Sequence, residues 1–102
     1  MRRGTTPTLK CDITGVNVAD LDNIYLTIKQ SSVELTKREN EITKDTSDGK
    51  NRLLVSLTQE ETLEFRDGMV QIQLRATLAG GNAIASNIKT VPLDHILMEG
   101  EI

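Results

Sequence analysis

One histidine, one cysteine, a short run of glutamates and two aspartate-containing stretches are the first places to look for side chains that could react or hold a metal. A general base working near neutral pH is most often a histidine. The only one, His95, stands close to the end of the sequence and reads as a surface or interface residue. Cys11 has no second cysteine to bridge to, and it sits on the apolar side of "LKCDI", where it reads as a small buried hydrophobe. One cysteine and one histidine, with no C-x-x-C and no H-E-x-x-H, leave too few ligands for zinc. A G-x-S-x-G nucleophile turn is also missing. "DLDN" at 20–23 and "DTSDG" at 45–49 contain fragments of a calcium loop, but neither has the ligand spacing or the terminal glutamate, so both read as turns. Gly80-Gly81 lies between two strand-like stretches and precedes no helix, which makes it a hairpin turn and not a phosphate cradle. The expectation is no catalytic residue, no cofactor and no metal.

Glu60, Glu61 and Glu64 have a structural explanation. Thr58 followed by Glu61 fits the S/T-x-x-E capping box, and acidic residues complement the positive end of a helix. "LTQEETLEF" therefore predicts a short helix near residues 59–65 with Leu63, and Phe65 after it, turned toward the core.

The elements around that helix read as strands. Valine, isoleucine and threonine total 27 residues, and their branched side chains favour a pleated, half-buried surface. Leu9, Cys11 and Ile13 alternate with polar residues, as do Ile24, Leu26 and Ile28. "VELTK", with Val33 and Leu35 on one face, follows the break "QSS" and makes a hairpin with the preceding strand. A short edge strand is expected around Glu41 to Lys44, then an exposed turn at Asp48-Gly49. Leu53, Val55 and Leu57 form the next inward set, and Val70, Ile72, Leu74, Ala76 and Leu78 the clearest one. "AGGN" turns the chain into "AIASNIKTVPL", whose change of phase predicts a bulge near Ser86-Asn87 and whose Pro92 belongs at a strand end or free edge. About seven strands, with one helix between the fifth and sixth, predict an all-β antiparallel sandwich whose helix lies at a crossing between sheets.

A chain of 102 residues has room for one core. Its halves carry no long apolar run, and "MRRGTTPTLK" has basic residues without a following apolar stretch, so neither a membrane span nor a signal peptide is expected, and synthesis is expected in the cytoplasm. A net charge of −3 with interspersed signs gives no basic footprint for nucleic acid. Tyr25 and Phe65 are the only aromatic residues, too few to offer stacking platforms for sugars. No small-molecule substrate is expected.

The expected organisation is an arm at 1–7, a sandwich at 8–93 and a tail at 94–102. Opposite charge at the two ends suggests subunit contacts, with Arg2, Arg3, Thr5 and Thr6 on one side and Asp94, Ile96, Leu97, Glu99, Glu101 and Ile102 on the other. The arm has no apolar alternation and is expected to stay mobile until a neighbour orders it.

"RGTTPTL", "VSLTQEETLEF", "VQIQLRA" with "GNAIASNI", and the ending "EGEI" resemble a family of small structural proteins of tailed bacteriophages and prophages of Gram-positive bacteria. The resemblance implies an immunoglobulin-like sandwich that acts without catalysis in the virion, in the tail or baseplate, through self-association and contacts with other virion proteins. The charged loop "DTSDGKN" is a departure from that pattern. The alternative is a binding module, either a host-surface adhesin or a cytoplasmic assembly adaptor.

Overall fold

Alternating apolar residues become strands only where their inward sets meet, and here two sheets supply those sets. The computed structural model describes every residue except Ala79, Ser86, Asn87, His95, Met98 and Glu99. In chain order its elements are β1 (Thr8–Asp12), β2 (Leu21–Gln30), β3 (Val33–Arg38), β4 (Ile42–Asp45), β5 (Arg52–Ser56), α1 (Gln59–Leu63), β6 (Gly68–Leu78), β7 (Ala83–Ala85) and β8 (Lys89–Leu93). Single 3-10 turns occur at Val18–Asp20, Glu39–Glu41 and Ser47–Gly49.

One sheet has the order β1-β5-β4; the other is β3-β2-β6, with β7 and β8 both paired to the far side of β6. All these pairings are antiparallel. The chain changes sheet between β1 and β2, between β3 and β4, and between β5 and β6. Ile42, Leu53 and Val55 of the first sheet and Leu21, Ile24, Leu26, Ile28, Val70, Leu74, Ala76 and Leu93 of the second join one buried cluster, completed by Val18, Leu57 and Phe65.

The helix stands at the third crossing, and its start is the expected capping box. The Glu61 amide donates to Thr58 Oγ1 at 3.1 Å and the Thr58 amide to Glu61 Oε1 at 2.8 Å. Thr62 and Phe65 are the fully buried residues of this segment, whereas Leu63 is only half-buried. The expectation for Leu63 is corrected: a helix of 5 residues turns a narrow face inward, and the chain after it delivers Phe65 instead.

The edges differ from the pattern in detail. The described residues contain eight strands where about seven are expected, the final edge counting as β7 and β8. Pairings run Arg75↔Ala85 and Ile72↔Lys89, three steps on β6 against four on the facing chain, so one extra residue lies between β7 and β8. Ser86 and Asn87, where the bulge is expected, lie outside the described residues. Pro92 falls next to the end of an edge strand, where its missing amide costs no ladder bond. Asp48 and Gly49 form the exposed turn, at φ 50° and 75°. In the β2–β3 hairpin Ser31 takes φ 51°, a conformation that a two-residue loop demands and that glycine usually supplies.

Candidate functional site

Three features lie outside the ordinary packing of the sheets: a pole where both ends of the sequence meet α1, a buried lysine, and an open hollow beside β1.

The pole gathers several of the expected contact residues, but within one chain. The Asp94 amide donates to the Met1 carbonyl at 2.7 Å and the Arg3 amide to the Asp94 carbonyl at 3.1 Å, so the arm runs parallel to the chain leaving β8. The Arg3 side chain donates from Nε to the Phe65 carbonyl and from a terminal nitrogen to the Leu63 carbonyl at 3.1 Å. The Leu63 carbonyl is one that the C-terminal end of α1 leaves without a helical partner, and the Phe65 carbonyl follows in the bend after it. Thr62 Oγ1 donates to the Thr5 carbonyl at 3.0 Å. The expectation of a mobile arm is therefore corrected. Hydrogen bonds from guanidinium and backbone hold it, which an argument from apolar alternation does not register. Gly4 is needed at the closest approach: it has φ 70°, and a Cβ there would stand 3.0 Å from Ile96 Cδ1 and 3.5 Å from Leu63 Cδ2.

The remaining contact candidates separate. The Arg2 and Asp94 side chains approach to 4.0 Å with both 56% exposed, a geometry of little energetic weight. Thr5 Oγ1 donates to the Arg2 carbonyl, and Thr6 is exposed. Leu97 is 98% and Ile102 89% exposed, although Gln59 holds the Ile102 backbone through both its amide nitrogen and its oxygen. Glu101 is exposed, and Glu99 lies outside the described residues.

Lys37 is the functional-looking residue that periodicity reading passes over. It continues the inward parity of Val33 and Leu35 on β3, and its side chain is only 8% exposed. Its ammonium meets Glu61 at 2.6 Å and Glu41 at 3.3 Å. Burial alone would lower the Lys37 pKa, but hydrogen bonds and charge from the two carboxylates outweigh it and raise the value. Burial would likewise raise Glu61, yet Lys37 and the Thr58 backbone hold it below the usual carboxylate range. A charge at an inward position of "VELTK" is the sequence signal that could have found this group. The assembly ties β3 to the start of α1, and a fully paired lysine at a raised pKa is a poor nucleophile or base.

The hollow runs along the inner face of β1 in two adjoining parts of about 380 and 300 Å³. Leu9, Cys11 and Ile13 form one wall; Ile72, Leu74 and Val91 stand opposite. Cys11 is half-buried and not buried as expected, because no described strand lies outside β1 to cover it. Burial raises its thiol pKa; nearby Lys89 lowers it and Asp12 raises it further. Ile72 is also only half-buried.

The calcium-loop fragments act as turns: Asp45 Oδ1 accepts from the Ser47 amide and hydroxyl, which lowers its pKa. Among the described residues no group of three or more His, Cys, Asp or Glu side chains is placed to hold a metal, and no helix is long and apolar enough to cross a membrane. His95 lies outside the described residues. Phe65 is buried, and Tyr25 is half-buried with the Arg38 guanidinium 5.4 Å from its ring centre. Compared with family models, curated proteins and solved structures, the chain matches none of them.

Proposed function

We propose that this chain is a non-enzymatic structural protein of a tailed-phage particle, immunoglobulin-like in topology, which works in the tail or baseplate through contacts between subunits. Strand order carries the fold part of this reading. A sheet β3-β2-β6-β7/β8 facing a sheet β1-β5-β4, with the chain crossing between them three times, corresponds to the GFCC′ and BED sets of an immunoglobulin sandwich. In that correspondence β1 stands where the sheet would carry one more strand outside it. The functional part is supported by the sequence resemblance and by apolar side chains placed for contact: Leu97, Ile102, Ile88 and Met69 are all more than half exposed. The protein is made in the host cytoplasm and acts in the virion, where its partners are its own copies and other virion proteins.

Quantitative mass spectrometry of purified particles tests the proposal. The chain is expected at a fixed stoichiometry relative to the tail proteins, and to copurify with tails detached from heads. Its absence from particles, with expression in the producing cell, would reject the virion role in favour of a cytoplasmic assembly adaptor.

A further inference from the structure

We infer that the outer edge of β1 is a self-association surface, on which a second copy of this chain pairs its own β1 antiparallel about a two-fold axis at Cys11. The inference stands independently of the particle assignment.

The edge is open and its phase is fixed. The Leu57 amide donates to the Pro7 carbonyl and the Ile13 amide to the Asn51 carbonyl, so odd-numbered residues of this stretch point their backbone groups at β5. Those of Thr8, Lys10 and Asp12 point outward. Among the described residues none is hydrogen-bonded to that side of β1. An unpaired strand edge above an apolar hollow is a template for another strand.

Charge selects the occupant and the register. A two-fold antiparallel pair must oppose outward-pointing residues with outward-pointing ones. Centred on Lys10, it sets two ammonium groups directly opposite each other, which is unfavourable. Centred on Cys11, it sets each Lys10 opposite the partner's Asp12, twice by symmetry, and each Leu9 opposite the partner's Ile13. Asp12 has room for a second partner: Arg52 Nε stands 3.2 Å from its Oδ1, and the Asp12 side chain is 76% exposed. The strand thus carries complementary charges for its own copy. The axis lies perpendicular to the extended sheet, so the two larger sheets fall on the same side and each hollow is closed by the other copy. The order becomes β4-β5-β1 followed by the partner's β1-β5-β4. Ile88, the residue before β8, is 58% exposed.

This register brings two Cys11 residues together at a non-hydrogen-bonded pair, where Cα atoms lie about 4.5 Å apart, within the span of a disulfide. The thiol therefore reports the interface. Reduced protein treated with diamide should form a covalent dimer: two Cys11 thiols give up two protons and two electrons, the S–S bond forms, and diamide becomes the hydrazine. Sedimentation velocity across a concentration series should show a reversible dimer before oxidation. Lys10→Glu and Asp12→Lys, each placing like charges opposite one another, should each weaken it about tenfold or more, and abolish cross-linking at matched concentration. The double variant restores opposite charges in both pairs across the two-fold axis and should recover most of the parent's association, a recovery that loss of folding would not allow. Monomer at every concentration without diamide-dependent dimer overturns the inference. So does a dimer insensitive to both single variants, which would place the contact elsewhere, such as on the exposed Leu97 and Ile102.

Discussion

Replacing Glu61 by glutamine should destabilise the protein far more than replacing its partner Lys37 by methionine. In Glu61→Gln the amide oxygen can still accept from the Thr58 backbone, so the helix cap is largely kept. What is lost is the charge facing an ammonium that is 8% exposed, leaving Glu41 at 3.3 Å as its remaining counterion. Stranding one member of a buried pair costs about 3–5 kcal/mol, and the partial exposure of Glu61 together with the help of Glu41 reduces this to about 2–3 kcal/mol. Lys37→Met leaves no buried charge and fills the same channel with an unbranched chain, while Glu61 turns to water and keeps the cap. Its cost should be under about 1 kcal/mol. Thr58→Ala, which removes only the cap oxygen, should cost about 1 kcal/mol and serves as the control. Urea unfolding with linear extrapolation reads all three.

The pH dependence follows from the same pair. Glu61 in the folded chain titrates below its ordinary value of 4.5, so its contribution is complete above that value and is lost as pH falls through the folded pKa. Lys37 titrates above its ordinary 10.5, so its contribution is complete below 10.5 and is lost as pH rises through the folded value. The stability gap between the parent and Glu61→Gln should therefore be full at pH 7 and close under acid conditions. A neutral Glu61→Gln, a Lys37→Met of equal cost, or a gap that persists in acid would refute the reasoning.

Asn51→Ala should cost about 2–4 kcal/mol in the same assay, because the amide accepts from the Val18 backbone and donates to the Ile13 and Val16 carbonyls, and its removal leaves those part-buried groups unpaired. Ile72→Ala should cost about 1–2 kcal/mol, and Leu26→Ala, whose side chain is fully buried in the facing strand, about 2–5 kcal/mol. Equal costs for these two would mean that the hollow beside β1 is filled in the isolated chain.

Strand positions were legible because period-two alternation needs only neighbouring residues, and β6 shows it in every inward position from Val70 to Leu78. The capping box was legible for the same reason: its two partners stand three residues apart. What local pattern could not convey was pairing at a distance. Asn51 and the loop it holds are separated by 33–38 residues, and Lys37 and Glu61 by a whole sheet crossing. The arm misled for a related reason. Its anchoring groups, Arg3 and backbone amides, carry no hydrophobic signal, and their acceptors at Leu63 and Phe65 are exposed by a helix ending that no residue of the arm encodes. The half-buried state of Leu9, Cys11 and Ile13 depends on which strands fail to flank β1, a property of the sheet order alone.

The docking of the arm has a consequence for biosynthesis. Its contacts join Met1 to Pro92 and Asp94, the former 91 positions apart in the chain. At roughly 5–20 residues per second a ribosome delivers the second partner about 5–20 s after the first, whereas a hairpin such as β2–β3 closes in about 1–10 μs once its strands are free. The nascent protein thus passes through an interval in which its sheets are partly formed and the Met1 and Arg3 backbone groups have no Pro92 or Asp94 to pair with. Two chains emerging side by side from one polysome share that interval, so an arm can meet a neighbour's Asp94 before its own has been made. The order in which the residues are born makes this arm the element most exposed to exchange between copies.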